Sequence, residues 1–408
     1  MEVFAYLIPY GLEWLNLIVR WLHVITGIAW IGASFYFVWL DNSIRPPAPG
    51  SELAKKGVSG ELWAVHGGGF YNPQKYLLAP AELPKELHWF KWEAYSTWLS
   101  GFALLTIAYY FNAQAMMIDK AVADISSGQA VGIGIATLVI GWTVYDLLCR
   151  SKLAQYELWF GVTVFALIVG AAYVLTHLLS GRAAYIHVGA MIGTIMVANV
   201  LMLIIPGQRK MVEAMAAGKL PDPRHGLKAK QRSVHNNYFT LPVLFIMISN
   251  HYAMTYRNDH AWLVLALIMA AGVFIRHFFN LRHKGRVEWR YPAIGVALLL
   301  AVAIAIAPKA PVAAAPAADP VAQFQRVHAI IAQRCATCHS AQPTQAGFAT
   351  APAGMMLDNE TQIRQHAAQI YKQAIELKAM PIGNLTNMTE AERSELGAWL
   401  QQTMQGAK

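Results

Sequence analysis

The chain has 408 residues, of which 13% are charged and 56% are apolar or aromatic. Soluble proteins carry about a quarter charged residues, so this composition excludes an ordinary soluble enzyme and points to membrane segments. Three cysteines exclude a disulfide framework, and a net charge of +9 raises nucleic-acid binding as a possibility that the placement of that charge then removes.

The opening M-E-V-F-A-Y lacks a basic n-region and a small-residue cleavage site, so no cleavable signal peptide is expected. Eight apolar segments follow, each near the roughly 20 residues that cross a bilayer. Their limits are 15–40, 94–113, 130–149, 158–180, 184–205, 238–256, 260–280 and 291–307. The fourth and fifth are joined by little more than S-G-R-A, a tight helical hairpin. The expected fold class is therefore all-α, a polytopic transmembrane bundle over residues 1–307. Cys149 ends the third segment and is expected to be an inert packed thiol.

Four of the connecting loops are basic. The first holds Arg45, Lys55, Lys56, Lys75, Lys85 and Lys91, and the second Arg150 and Lys152. The third runs from Arg209 and Lys210 through Lys219, Arg224, Lys228 and Lys230 to Arg232, and the fourth holds Arg282, Lys284, Arg286 and Arg290. The alternate loops offer Lys120, Arg182 and Arg257. Basic loops face the cytoplasm, so the N-terminus is expected outside. The positive charge then serves topology and lipid headgroups, and the expected partner is the bilayer rather than nucleic acid.

Ionisable groups inside lipid are costly and mark function by default. The histidines sort by depth. His23, His177, His187 and His251 fall toward the outer ends of their spans; His66, His88, His235, His277 and His283 fall at or near the inner face. The first inner loop reads G-E-L-W-A-V-H-G-G-G-F-Y-N-P-Q-K-Y. Its Gly67, Gly68 and Gly69 suit a tight turn where backbone approaches a ligand. L-H-W-F-K-W-E then sets Lys91 and Glu93 among aromatics. Cations, amides and rings together suit a flat anionic heterocycle. Lys75, Lys91 or Arg276 would neutralise it, and Phe70, Trp89 or Trp92 would stack on it. His66 or His277, with His235 as a further candidate, would move a proton.

Residues 308–320 read P-K-A-P-V-A-A-A-P-A-A-D-P, an extended semi-rigid tether. Residues 321–408 form a second domain. An amphipathic helix leads into R-C-A-T-C-H-S, and C-x-x-C-H is the attachment signature of c-type haem. Cys335 and Cys338 would form thioethers, and His339 would bind iron. A Met sixth ligand is expected, from Met355, Met356, Met380 or Met388, with Met380 favoured because K-A-M-P-I-G-N is irregular. Thr389 and Glu392 form a capping-box pattern opening a last helix, on which Trp399 would pack near Phe324. This domain resembles a small single-haem cytochrome c. Haem attachment takes place outside the cytoplasm, which agrees with the orientation read from the basic loops.

G-E-L-W-A-V-H-G-G-G-F-Y, H-W-F-K-W-E-A-Y-S-T-W-L-S-G and S-V-H-N-N-Y-F-T-L-P-V-L-F-I-M-I-S-N-H-Y, followed by the terminal C-x-x-C-H domain, resemble the bacterial membrane-bound urate oxidase (urate hydroxylase) family over essentially the whole chain. The resemblance implies an inner-membrane enzyme that oxidises urate to 5-hydroxyisourate and passes electrons to haem c, then to a downstream cytochrome or terminal oxidase. The first span, R-W-L-H-V-I-T-G-I-A-W-I-G-A-S-F, also resembles small haem-binding membrane families. His23 is thus a candidate b-haem ligand, with His187, His177 or His251 opposite. The alternative function is a membrane electron-transfer subunit relaying electrons from a quinol or dehydrogenase, with no substrate of its own. A transporter carrying a redox sensor is a weaker third reading, since no internal repeat is visible.

Overall fold

A computed structural model describes residues 2–307, 319–345, 348 and 350–406, with side chains from residue 10 to 405 within those ranges. The tether expected over 308–320 lies outside the described residues up to 318. Helices of ten residues or more are numbered here in chain order.

The bundle contains α1 (Glu2–Ser43), α2 (Trp92–Leu105, running on as a π-helical turn Thr106–Tyr110), α3 (Ser127–Arg150) and α4 (Glu157–Thr176). It continues with α5 (Gly181–Ala198), a π-helical stretch Asn199–Ile204, α6 (Ile205–Ala216), α7 (Pro223–Ile248), α8 (Ala261–His283) and α9 (Arg290–Ala305). Every expected span has its helix, and α6 simply prolongs the fifth. Among the described residues, five helices are long and apolar enough to cross a membrane: α1, α3, α4, the α5–α6 rod and α8. The other three fall short for readable reasons. The π turn interrupts α2, α7 begins P-R-H-G-L-K-A-K-Q-R, and α9 is only 16 residues long.

Local chemistry fixes the ends. Ser126 caps α3 in a reciprocal box with Gln129. Ser180 caps α5 after the short fourth-to-fifth connection, and Asp222 caps α7 ahead of Pro223. Close approach then depends on small residues, as in other membrane bundles. A Cβ on Gly134 of α3 would lie 2.5 Å from the His187 ring of α5, and one on Gly141 would lie 2.3 Å from Met191. Pro242 inside α7 removes a backbone donor and frees the Tyr238 carbonyl one turn earlier. Gly272 of α8 packs against that point, next to Leu241 and Pro242.

The connection between α1 and α2 forms two small ladders. Strands β1 (Gly60–Glu61) and β4 (Gln74–Lys75) pair antiparallel, and between them β2 (Ala64–His66) and β3 (Gly69–Tyr71) form a hairpin. Gly67 and Gly68 take φ +57° and +81° at its tip, the conformation a two-residue hairpin turn requires.

After the undescribed stretch, α10 (Pro320–Arg334) and α11 (Glu390–Gly406) enclose a second core with Leu357, Ile363, Ile370 and Met388. Thr389 and Glu392 form the expected capping box, 2.7 Å and 3.2 Å. Trp399 packs on Phe324 at 5.5 Å. This domain rests on the bundle. A Cβ on Gly383, itself at φ +56°, would meet the Ile118 carbonyl at 2.6 Å and that of Ala115 at 3.1 Å. Ser180, Arg182, Tyr256 and Arg257 border the same junction.

Candidate functional site

Two polar clusters lie within the bundle, both toward the ends where the basic loops attach. They share α7, whose S-V-H-N-N-Y-F places adjacent asparagines on different faces.

The first cluster joins α3, the π stretch and α7. Arg232 donates from Nη2 to Asp146 Oδ1 at 2.7 Å and from Nη1 to Asn199 Oδ1 at 3.1 Å. Asn199 donates to Asn236 Oδ1 at 2.8 Å and to the Tyr145 hydroxyl at 3.1 Å, and that hydroxyl bonds His235 Nδ1 at 2.8 Å. Asn236 donates in turn to the Met196 carbonyl. His235 lies stacked on Phe160, with Cys149 alongside. No side-chain atom of this group is left buried without a partner.

The second cluster joins α1, α7 and α8, and it is not closed. Arg276 donates from Nε to Asn237 Oδ1, and its guanidinium lies 4.1 Å from the Phe35 ring centroid. Yet its Nη2 has no partner, although the residue is only 5% exposed. One helical turn on, Asn280 Oδ1 is likewise unpartnered at 8% exposure. Tyr238 bonds His277 Nδ1 at 2.7 Å, and the two rings stack. Tyr291 meets the His277 ring edge-on. Glu93 Oε2 at the start of α2 and His283 Nδ1 at the end of α8 complete the buried unpaired atoms among the described residues. An unpaired buried polar atom forfeits about 1–3 kcal/mol. Here four occur at one end of the bundle, on α2 and α8.

The structure sorts the expected site residues accordingly. Arg276 and His277 come together, with Glu93 and His283 at the same end. His235 belongs to the closed cluster. His66, Gly67, Gly68 and Gly69 form the hairpin, with nothing within 4 Å of a Cβ added at Gly67 or Gly68, and Phe70 is 77% exposed. The glycines supply the turn. Lys75 is held by Asp41, Lys91 lies over Trp92, and Trp89 packs with Val197 and Val200. Sequence reasoning missed Phe35, and it gave no separate role to Asn237, Tyr238 or Asn280 within S-V-H-N-N-Y-F and R-H-F-F-N-L-R-H, stretches whose amides, cations and rings suit the same heterocycle. Each falls in an apolar run as an ordinary polar or aromatic residue, and only the helix packing shows which of them share a face with Arg276.

In the C-terminal domain an apolar cavity is lined by Cys335, Cys338, His339, Met380, Pro381 and Ile382, with Ala115 of the bundle as one wall. Met388 is buried in the core instead, its N–H bonded to Asn384. His339 Nδ1 bonds the Met355 carbonyl. Neither cysteine is in a disulfide, and burial pushes the Cys335 thiol up to about 12.

The fold and the open cluster define a mostly helical, largely apolar bundle with a buried, partly unpaired guanidinium at one end. Residues 9–307 match the family model described as Urate oxidase N-terminal, and the chain belongs to that family, which gives it a urate-related, oxidoreductase character. No curated protein and no solved structure matches the chain.

The family overturns the haem expectations. Urate oxidases are typically cofactor-independent, and among the described residues no group of three or more His, Cys, Asp or Glu side chains is gathered to hold a metal ion. For haem c, the five-residue C-x-x-C-H spacing is a generic signal that carried more weight than it could bear. For haem b, the histidines do not converge. His23 fits against Gly101 with Nδ1 on Thr97 and Ser100, and His187 fits against Gly134 between Ala183 and Tyr110. His177 bonds the Tyr173 carbonyl on its own helix, and His251 is exposed. These rings serve packing and local hydrogen bonding.

Proposed function

We propose that this chain is a membrane-embedded urate oxidase that converts urate to 5-hydroxyisourate at the open polar cluster of α1, α7 and α8. One observation carries this: a buried Arg276 guanidinium with a free Nη2, beneath the face of Phe35, in a member of a urate oxidase family. Urate is a flat anion rimmed with carbonyls and N–H groups. A pre-set guanidinium beside an aromatic face suits charge, hydrogen bonding and stacking at once. The basic loops at the same end support an inner-face opening.

The reaction removes two electrons and two protons from urate plus water, the water oxygen entering the purine ring. The Tyr238–His277 couple takes up one of the two protons, and the other leaves to water. The couple lies on the same two helices as Arg276 and Asn237, whereas His66 stands out on a hairpin. Hydrogen bonding to Asn237 holds the guanidinium in one orientation, so little reorganisation remains at binding. Electrons leave to an acceptor outside the chain.

The test is urate consumption by purified full-length protein in nanodiscs, with dioxygen and, separately, with oxidised soluble cytochrome c as acceptor. Arg276→Gln should lower kcat/KM by roughly 10- to 100-fold, the loss of a charge-assisted hydrogen bond. Arg276→Lys should recover part of it. Unchanged turnover in Arg276→Gln at an unchanged melting temperature would sink the proposal.

A further inference from the structure

Arg276 and Asn280 stand four residues apart on α8, so their side chains are neighbours on one helix face. They present opposite chemistry. Arg276 Nη2 is a donor and Asn280 Oδ1 an acceptor, both unpartnered and both on residues more than nine-tenths buried. Two such groups would satisfy one another if their geometry allowed. They do not: Arg276 Nε is fixed on Asn237, while beside them the Tyr238 hydroxyl bonds His277 Nδ1.

We propose that Asn280 is a specificity-determining residue that works with Arg276 as a donor–acceptor pair for the lactam edge of an oxidised purine. The guanidinium Nη2 donates to a ring carbonyl or deprotonated ring nitrogen, and Asn280 Oδ1 accepts from the adjacent ring N–H. A carbonyl beside an N–H is the complement of this pair; a methylated nitrogen is not. This rests on the assignment of the open cluster to urate. The ligand class it selects is narrower, namely cyclic lactams carrying a free N–H next to the carbonyl that Arg276 binds. Sites built to bond an N–H reject analogues lacking it more strongly than apolar pockets reject a methyl group.

The experiment is equilibrium binding of urate and its mono-N-methyl isomers to the full-length protein in nanodiscs, kept anaerobic and free of added acceptor so that no turnover occurs. The proteins are wild type, Asn280→Leu, Asn280→Asp and Arg276→Gln. Asn280→Leu should weaken urate binding roughly 10- to 100-fold, the cost of leaving a ligand N–H unpaired in a buried site. One methyl isomer should bind wild type correspondingly weakly and lose nothing further in Asn280→Leu, because both changes remove the same bond. Asn280→Asp keeps the acceptor but adds a charge against an anion, so it should weaken every isomer alike. Unchanged urate affinity in Asn280→Leu overturns the pairing, as does an equal further loss for all isomers. If Arg276→Gln abolishes binding while Asn280→Leu is neutral, only this inference falls. If wild type binds none of the probes, the urate assignment falls with it. Should Asn280→Leu not fold, the isomer series on wild type against Asn280→Asp decides, since some methyl isomer must still be singled out.

Discussion

Removing the carboxylate of Asp146 tests whether the closed cluster is scaffold. The Arg232 and Asp146 side chains are 6% and 11% exposed and 2.7 Å apart. Deleting one partner of such a pair leaves a buried charge uncompensated and costs about 3–5 kcal/mol. Here Arg232 keeps its bond to Asn199 and its position 5.1 Å from the Tyr145 ring centroid, which favours the lower end, about 3 kcal/mol. Arg150 also bonds Asp146, but it is 69% exposed and its contribution is small. Asp146→Leu should therefore destabilise strongly. Adding Arg232→Met should restore most of the loss, since an apolar pair of like volume is often neutral in such a site. The assay is a double-mutant cycle in detergent micelles, read by unfolding rather than by activity. A coupling below about 1 kcal/mol would refute the clamp. So would loss of urate turnover with stability intact, which would place the cluster in the site.

Two further expectations concern the C-terminal domain. Gly383→Leu would force a side chain onto the Ala115 and Ile118 carbonyls, so residues 113–118 should exchange amide hydrogens faster in the variant. Unchanged protection there would show that the domain does not depend on this contact. Acid should loosen the same domain. Lys378 beside Glu390 holds that carboxyl below its usual range. Burial would raise Glu392, but the Thr389 N–H, the Arg334 guanidinium and the Thr389 hydroxyl outweigh it and hold it low. Carboxylates lowered by folding stabilise above their unfolded value and lose that contribution as pH falls. Protection of α10 and α11 should therefore decline below about pH 4.5, less steeply in Glu392→Gln. A steeper decline in that variant would contradict the sign.

The helices were legible because apolar runs of about 20 residues have few other solutions. The expected boundaries missed by a few residues where the chain obeys packing instead: α6 extends the fifth span with polar residues, and π-helical turns end α2 and α5. The hairpin over β2 and β3 escaped because three glycines suit a ligand loop and a two-residue turn equally well in sequence. Arg276 and His277 stood out as ionisable groups in an apolar run. Asn237, Asn280 and Phe35 did not, since their meaning depends on which faces of α1, α7 and α8 meet. The haem expectations failed for a related reason. Short motifs and single histidines carry no partner, and Gly101 and Gly134 show that rings such as His23 and His187 fill gaps left by a neighbouring helix.

Asn236 and Asn237 make the division of labour in α7 concrete. They are adjacent, about 100° apart around the helix, and equally polar. Asn236 turns to Asn199 and Met196, where every buried side-chain atom has a partner. Asn237 turns to Arg276, where partners run out. A fold selected for stability alone has no reason to treat the two faces differently, because each unpaired atom on the second face weakens the bundle by an amount comparable to a good hydrogen bond. That deficit is recovered when a ligand supplies the missing partners, and the same deficit sets the preference for a ligand over water. The closed face then has a function of its own. By pinning α7 to α3 and to the π stretch through Asp146 and Arg232, it fixes the backbone from which Asn237 and Tyr238 reach across to α8.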